Sequence, residues 1–398
     1  MTGGWAALNT ALPYHPQETP ITVRRRFTLQ ALGLALALGS ASPAIHAYAH
    51  DDDDEGFRAG KVFTSTNAAA GNELLIYDTE RNGALRLATR LATQGIGSGG
   101  GLGNQGAVTL SQDGRHRFVV NAGSNSVSTF RVRRGGLQLT SVVDGGGLRP
   151  VSVAEHEGRV VVLNASGAGN IAGFRNRQGV LEPIAGATQP LSAAGGTAPA
   201  QVAFGEDGGV LIVTEKATNK LTTYRVRRDG TIEAPRITAS SGMTPFGFAV
   251  DRRGTVLVSE AFGGAAGASA LSSYTFSHAQ SVQPQLVSAS VGSGQSAACW
   301  VVVTPNGRYA YVTNTGSGNI SSYALQHNSK AALAQALAAA TDAGPIDAAI
   351  APRGRALFVL NGAGRSIQSF GIGRDGQLQA QGGRIDGLPA GANGLAAN

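Results

Sequence analysis

The stretch RHRFVVNAGSNSVSTFRVRRGGLQLTSVV, residues 115–143, decides the fold of this chain. It contains three runs of alternating or β-branched residues, separated first by a polar loop and then by a glycine turn. Runs of this kind, bounded by Gly, Asn and Ser, are typical of antiparallel strands. The same pattern returns at residues 209–235, 308–325 and 355–380, so the chain is built from repeats.

The spacing of the repeats indicates how many there are. Successive turn glycines lie about 44 to 53 residues apart, which is enough for the four short strands of one β-propeller blade. A seventh unit is split, with one strand at 391–397 and the others at 61–67, 72–78 and 84–90. Pairing these pieces closes the ring without a free edge, so we predict an all-β, seven-bladed β-propeller. The turn glycines are Gly114, Gly158, Gly208, Gly254, Gly307 and Gly354.

One segment has the wrong local propensity for this fold. Residues 329–343, SKAALAQALAAATDA, favour a helix but occupy the place of an outermost strand. Because pairing within a sheet can override propensity, we expect an irregular outer strand there, with room for one helical turn.

Composition excludes several classes of protein. The chain has 398 residues, 57 of them Gly, and only 14% are charged, which excludes coiled coils and long charged helices. The single cysteine, Cys299, excludes an intramolecular disulfide and a thiolate zinc cluster, and we expect it to be a buried core residue. The net charge is +7, but the RVRR runs at 131–134 and 225–228 lie at hairpin tips without exposed aromatics between them. A solvated rim is therefore favoured over nucleic-acid binding.

The first fifty residues have the pattern of an export signal. Three arginines at 24–26 precede an apolar run at 29–39 and a small-residue stretch that ends at Ala49. The order Arg-Arg-x-Phe-x-Leu resembles a twin-arginine signal, so we predict a signal peptide at 1–49 and a periplasmic or secreted protein without a membrane span. An acidic tail at 50–60 and a propeller at 61–398 follow.

The familiar cofactor motifs are absent or lack their context. Residues 101–106, GLGNQG, spell the GxGxxG pattern, but a strand and a turn follow where a phosphate-binding helix is required. The histidines are scattered, and no pair has the spacing of metal ligands. We therefore expect no cofactor and no metal.

The architecture itself indicates a site. In a propeller, the loops between second and third strands and the starts of the inner strands meet at one end of the central channel. Carboxylates gathered there can acquire shifted pKa values and act in acid–base catalysis, so Glu215 and Glu260 are the candidate catalytic residues. The candidate substrate-binding residues at the same end are Lys216, Arg149, Gln201, Gln295, Trp300, Asp347, Asn314 and Asn393.

The motifs PAQVAF, VTEKATN, TPFGFAVD, TNTGSG and GPID resemble those of the lactonase-type seven-bladed propellers. That family includes bacterial 6-phosphogluconolactonase and fungal carboxymuconate-lactonizing enzyme, and the resemblance covers residues 60–398. It implies action on a sugar lactone or a muconate without a metal, and it carries a functional glutamate onto Glu215. The family's Pro-Arg-His, however, reads Pro199-Ala200-Gln201 here, and Gln201 cannot shuttle a proton.

Three functions are compatible with this pattern. The first is an exported lactonase-like hydrolase that acts on a small-molecule lactone or carboxylate. We expect it to be a monomer, because each blade of a propeller packs on its neighbours. The second is a non-catalytic propeller of the cell envelope, which the absent histidine favours. The third is a gluconolactonase-like enzyme that depends on calcium or zinc, for which Glu215, Glu260 and Asp347 are the available charged ligands.

Overall fold

The computed structural model describes residues 60–277 and 281–398, which form seven four-stranded antiparallel sheets. The seven-bladed propeller predicted from the repeats is confirmed. The predicted signal peptide, and the predicted acidic tail up to residue 59, lie outside the described residues. No helix among the described residues is long and apolar enough to cross a bilayer.

The blades are numbered along the chain, and the strands of each are given from the channel to the rim. Blades 1 to 4 consist of β28 Asn393–Ala397, β1 Lys61–Ser65, β2 Glu73–Thr79 and β3 Leu85–Ala92; β4 Val108–Leu110, β5 His116–Asn121, β6 Ser126–Arg133 and β7 Gly136–Asp144; β8 Leu148–His156, β9 Arg159–Ser166, β10 Asn170–Arg177 and β11 Val180–Pro190; and β12 Pro199–Phe204, β13 Val210–Glu215, β14 Lys220–Arg225 and β15 Arg236–Ala239. Blades 5 to 7 consist of β16 Pro245–Val250, β17 Val256–Glu260, β18 Ala270–Phe276 and β19 Pro284–Gly292; β20 Ala298–Val303, β21 Tyr309–Asn314, β22 Asn319–Leu325 and β23 Ala331–Ala340; and β24 Pro345–Ile350, β25 Ala356–Asn361, β26 Ser366–Ile372 and β27 Leu378–Ile385.

The ring closes as the split repeat predicts. β28 pairs with β1 in antiparallel register, with Phe63 opposite Ala396, so strands from the two ends of the chain share blade 1. Each inner strand contacts the inner strands of the two neighbouring blades, and β28 completes the circle between β24 and β4. The second strands are buried on both faces because each sheet packs between two others, which explains apolar runs such as Val210–Glu215.

The turn glycines have the conformation that their position requires. All six adopt positive φ, between 66° for Gly208 and 78° for Gly158 and Gly254. A side chain is disfavoured in that left-handed region, so glycine fixes the turn between the first and second strands of six blades.

Residues 331–340 form β23, the outer strand of blade 6, despite their helix propensity. The register with β22 shifts twice, so the expected irregular strand is confirmed, and no helical turn forms there. Leu337 on this strand is 59% exposed, which shows that strand pairing rather than burial of this side chain holds the segment in the sheet. The helical element among the described residues is a 3₁₀ turn at Phe262–Gly264.

Candidate functional site

The loops between second and third strands and the starts of the inner strands lie at one end of the ring, called the mouth below. Glu215 and Glu260 end β13 and β17, and Arg149 lies near the start of β8. Arg149 has a positive φ of 56°, and Ala198 and Thr244 have similar values just before the prolines that open the next two blades. The conformation of Arg149 is therefore a feature of the repeat and does not by itself mark a site.

Residues 101–106, called the plug below, fill the channel at this end. They precede β4 of blade 2, yet they bond to three other blades. The Gln105 amide donates to the Ala200 carbonyl at 3.0 Å in blade 4, and its side-chain nitrogen donates to the Val301 carbonyl at 3.1 Å in blade 6. The side-chain amide of Asn104 donates to the Val151 carbonyl of blade 3. Asn104 and Gln105 are buried by these contacts.

Two side chains of the mouth hold the plug by its backbone. The Lys216 ammonium donates to the Gly103 carbonyl, and the Trp300 indole N–H donates to the Asn104 carbonyl at 2.6 Å. Phe246 packs between them, with its ring 4.5 Å from Lys216 Nζ and 5.1 Å from the Trp300 ring. The predicted substrate-binding residues Lys216 and Trp300 are thus brought together, and they face carbonyl oxygens of the chain itself.

The surroundings of Lys216 favour its neutral form. Burial, and in smaller part the positive charge of Arg149, lower the pKa of Lys216 to about 8, against a partly opposing effect of the Cys299 thiol. Burial raises the pKa of Cys299 to about 11, so this thiol is neutral and unreactive near pH 7. Lys216 is therefore a group that exchanges a proton near neutral pH, as general acid–base chemistry requires.

Glu215 lies inside the turn next to Lys216 and is fully buried. Its carboxylate accepts hydrogen bonds from the Ser192 amide at 3.0 Å, the Thr222 hydroxyl at 2.6 Å and the Thr218 hydroxyl at 2.8 Å, and a fourth from the Ser192 hydroxyl. These donors come from the loop after β11 and from β14 with the turn before it. Four hydrogen bonds satisfy both oxygens, so Glu215 joins blade 4 to the preceding loop.

Glu260 occupies the same place in blade 5 and is also fully buried. It accepts hydrogen bonds from the Gly242 amide at 2.7 Å and from the hydroxyls of Ser272 and Ser290, each at 2.6 Å. Either carboxylate must give up several hydrogen bonds before it can reach a substrate in the channel. Catalysis by Glu215 or Glu260 stays a prediction under that condition.

Gln201 and Asp347 each lie seven residues before the turn glycine of their blade, and both lie at bulges at the same place in their inner strands. Gln201 accepts the Phe248 amide of the next blade at 2.7 Å, and Asp347 accepts the Leu395 amide of the next blade at 3.0 Å. Burial raises the pKa of Asp347 well above its ordinary value, although backbone hydrogen bonds oppose this. In this structure both side chains join blades.

Gly247 holds this place in blade 5, where a side chain of the plug takes the position that Gln201 fills in blade 4. A Cβ at position 247 would overlap the side-chain oxygen of Gln105. That oxygen accepts a hydrogen bond from the Val301 amide of blade 6 at 3.4 Å. The Gln201 side chain accepts the equivalent bond from the Phe248 amide of blade 5. The plug is therefore integrated into the channel wall, and glycine at 247 leaves the space for it.

The other predicted substrate-binding residues lie outside the group formed by Lys216, Phe246 and Trp300. Gln295 accepts a hydrogen bond from the side chain of Asn319 at 2.6 Å, and Asn314 donates to that of Asn319 at 2.9 Å. Asn393 lies in β28 and is buried, with its carbonyl accepting the Ser65 hydroxyl at 2.9 Å. These contacts lie within the residues' own blades, but among the described residues the side-chain oxygens of Asn314 and Asn393 are buried without a hydrogen-bond partner.

The sequence did not identify Asn104 and Gln105 as part of the site, although it contained a signal. The GLGNQG motif lacks the context of a phosphate-binding loop, but it is a glycine-rich insertion with two side-chain amides before a short strand. This insertion enters the channel. Across residues 60–277 and 281–398, no three His, Cys, Asp or Glu side chains gather as metal ligands would.

Comparisons with known proteins agree with this architecture. The family model described as Lactonase, 7-bladed beta-propeller, matches residues 176–261 and 268–390, more than half of the chain. No curated protein matches it by sequence. Among solved structures, a proposed 6-phosphogluconolactonase from Bacteroides uniformis has 17% identity and a TM-score of 0.67, over 84% of this chain and 99% of that chain.

Another similar structure is the periplasmic gluconolactonase of Pseudomonas aeruginosa, with 17% identity and a TM-score of 0.63, over 84% of this chain and 99% of that chain. A protein from Lactobacillus plantarum has 14% identity and a TM-score of 0.66, over 86% of this chain and 100% of that chain. At these identities the likeness shows a shared fold.

Proposed function

Because the chain belongs to the lactonase family of seven-bladed β-propellers, we propose that it hydrolyses a small lactone at the mouth, where the plug now lies. The observation that carries this proposal is a pair of hydrogen-bond donors that face the plug. Lys216 and Trp300 both point at carbonyl oxygens, those of Gly103 and Asn104. These two carbonyls stand in for the oxygen atoms of a lactone that enters when the plug leaves.

Hydrolysis needs a group that activates water and a donor for the oxyanion. In the proposed mechanism, neutral Lys216 takes a proton from water as the water oxygen attacks the lactone carbonyl carbon. The Trp300 indole N–H donates to the oxyanion that forms. The ring C–O bond then breaks, and the leaving alkoxide takes the proton from the Lys216 ammonium. The product is a hydroxy acid, whose carboxylate lies near the exposed guanidinium of Arg149.

Glu215 and Glu260 enter this proposal as positioning residues. Glu215 fixes the turn that carries Lys216 through Thr218, and Glu260 joins β17 to β18 and to the loop before β16. The proposal assigns proton transfer to Lys216 and not to the two buried carboxylates, because burial lowers the pKa of this amine while the plug is in place. It also fits the replacement of the family's histidine by Gln201, since Gln201 has no proton to exchange.

The second candidate function is a non-catalytic propeller that binds a carboxylate or sugar at the same mouth. The saturation of Glu215 and Glu260 by seven hydrogen bonds favours it, because neither carboxylate is free to act on a ligand. Under this reading Lys216 and Trp300 recognise a ligand without transferring a proton.

The test is a pH-stat hydrolysis assay with gluconolactones, muconolactones and acyl-homoserine lactones. The proposal predicts turnover that rises with pH as Lys216 loses its proton. Lys216→Met removes the amine and should lose both the turnover and this pH dependence. Lys330→Met, at an exposed turn of blade 6, is the matched control and should change neither.

Two results would contradict the lactonase assignment. If Lys216→Met keeps the wild-type rate and pH profile, the proton transfer lies elsewhere. If the folded wild-type protein leaves every lactone intact, the binding propeller takes its place.

We further propose that the protein is exported and acts in the periplasm or outside the cell. The arginines and apolar run of residues 24–39 support this, as does the fold shared with a periplasmic gluconolactonase. Expression of the full chain in a bacterium should yield an exported protein that begins at His50. Export should fail when Arg24 and Arg25 are both changed to Lys, and export that survives this change would overturn the twin-arginine assignment.

A further inference from the structure

A cleft of about 750 Å³ lies between blades 2 and 3, at the end of the ring opposite the mouth. Third strands run away from the mouth, so the ends of β6 and β10 form its walls, together with the turn at Gly158. Four arginines line this cleft, and none of them belongs to the site described above. They are Arg131, Arg133, Arg175 and Arg177.

The four arginines form two pairs, one on each of two strands in neighbouring blades. Arg131 and Arg133 are two residues apart on β6, so both side chains project from the same face of the strand. Arg175 and Arg177 have the same relationship on β10. Arg131 reaches the turn of blade 3 at Gln178, whereas Arg175 reaches the turn of blade 4 at Asp229, so the two pairs form a row along the rim over two blades.

The positive charge of the β6 pair is not neutralised. Arg131 donates only long hydrogen bonds, of 3.3 and 3.5 Å, to the carbonyl and side chain of Gln178. Within the described part of the chain, no carboxylate oxygen lies within 4.0 Å of Arg131 or Arg133. The acidic group of the cleft, Glu157, is 3.4 Å from Arg159.

The β10 pair is neutralised only in part. Arg177 forms an exposed ion pair of 2.5 Å with Glu182, whereas Arg175 donates to the uncharged carbonyl of Asp229 at 2.7 Å. Like charges in one cleft repel each other, and a bound anion would relieve that repulsion.

The hairpin of blade 4 shows how the same sequence is neutralised elsewhere. Its run RVRR, residues 225–228, repeats the letters of residues 131–134. There Glu233 lies opposite Arg225 and pairs with it at 3.7 Å and with Arg227 at 3.0 Å. In blade 2 the residue opposite Arg131 is Gln138, which carries no charge. One residue therefore separates a neutralised rim from a basic cleft.

The lining indicates the chemistry of the ligand. It contains no aromatic side chain on which a nucleic-acid base could stack, among the residues described there. The amides of Asn176 and Gln178 lie among the guanidinium groups, as donors and acceptors for hydroxyl groups. Four guanidinium groups spread over two blades suit several negative groups in a row better than a single ion.

We propose that this cleft binds a linear sugar polymer that carries sulfate or carboxylate groups. The negative groups pair with Arg131, Arg133 and Arg175, and the sugar hydroxyls hydrogen-bond to the amides. Because the cleft is open to solvent, binding weakens as salt is added. It does not require the mouth or the plug, so it stands or falls independently of the proposed lactonase activity.

The test measures binding of dextran sulfate to the folded mature protein at low and moderate salt, with neutral dextran of the same length beside it. Gln138→Glu inserts the carboxylate that blade 4 has, and it should weaken binding by about threefold to tenfold, as should Arg133→Gln. Arg227→Gln is the matched control, since it makes the same change of charge in an arginine already paired with Glu233. It should leave binding unchanged.

Three results would overturn the proposal. Equal losses in Gln138→Glu and Arg227→Gln would mean that net charge, and not the cleft, determines binding. Binding of neutral dextran as tight as that of dextran sulfate would remove the role of the arginines. Tighter binding of polyglutamate than of dextran sulfate would assign the cleft to an acidic protein partner.

Discussion

Glu215 and Lys216 are adjacent in the chain, but their surroundings differ in kind. The Glu215 carboxylate accepts four hydrogen bonds from loops and strands that form the body of the propeller. The Lys216 ammonium donates to the plug, a short glycine-rich segment that enters the channel from blade 2. Burial and charge alone do not distinguish a structural group from a binding group. A binding group differs in that its hydrogen-bond partner can move away and leave room for a ligand.

The largest effect is expected when Glu215 loses its carboxylate. Glu215→Ala leaves the half-buried donors of Ser192 and Thr218 and the buried hydroxyl of Thr222 without an acceptor, so the free energy of unfolding should fall by about 3 kcal/mol. Glu215→Gln keeps one acceptor, and the hydroxyls can rotate to accept from its amide, so its loss should be about 1 kcal/mol. Urea unfolding of the two variants and the wild type measures both. Equal losses for Ala and Gln would show that the hydrogen bonds do not hold the turn.

Asp347 should make stability depend on pH. Burial raises its pKa in the folded state, so the folded protein keeps a proton that the unfolded chain releases above about pH 4. The contribution of Asp347 to the free energy of unfolding therefore falls as pH rises above about 4, by up to about 1.4 kcal/mol per pH unit. Asp347→Asn cannot titrate and should gain stability relative to the wild type between pH 4 and 7. Thermal unfolding across that range checks the sign, and parallel curves would contradict it.

The hydrogen bond from Trp300 to the plug should contribute less to stability than the hydrogen bonds of Glu215. Trp300→Phe keeps an aromatic ring but removes the N–H that donates to Asn104, at a cost of about 1 kcal/mol. Amide hydrogen exchange at Gln105 should then accelerate by about fivefold, with no change at inner-strand amides such as Val202. Exchange that accelerates equally at both positions would mean that the plug opens only when the whole propeller unfolds.

The smallest effect on stability is expected at Arg149, which is exposed and has no ion pair among the described residues. Arg149→Gln should change the free energy of unfolding by less than about 0.5 kcal/mol. If Arg149 holds the product carboxylate, the same change should raise the KM for lactones and leave kcat little altered. A large loss of stability would assign Arg149 to the scaffold instead.

The fold could be predicted from the sequence because each repeat carries its own turn glycine and β-branched runs. Even β23, whose alanines favour a helix, follows the repeat, since its pairing with β22 outweighs local propensity. The positions of Gln201 and Asp347 could also be predicted from their spacing to the turn glycines. Their hydrogen bonds to the next blade could not, because those bonds join segments almost fifty residues apart.

The plug shows where prediction from the sequence ends. Residues 101–106 match no repeat, and their partners Val151, Ala200 and Val301 belong to three different blades. Such contacts follow from the radius of the ring and from the space at Gly247, which no local pattern contains. The hydrogen bonds of Glu215 could not be predicted for the same reason, since Ser192 reaches it from the loop between blades 3 and 4.

The most direct test of the account is amide hydrogen exchange of residues 101–106 in the wild-type protein, with and without saturating gluconate. The closed plug protects the Gln105 amide through its bond to Ala200. If Lys216 and Trp300 hold the plug in the place of a ligand, gluconate should accelerate exchange in the plug and leave the inner strands protected. Binding of gluconate with equal or greater protection of the plug would contradict that claim and place the ligand site elsewhere.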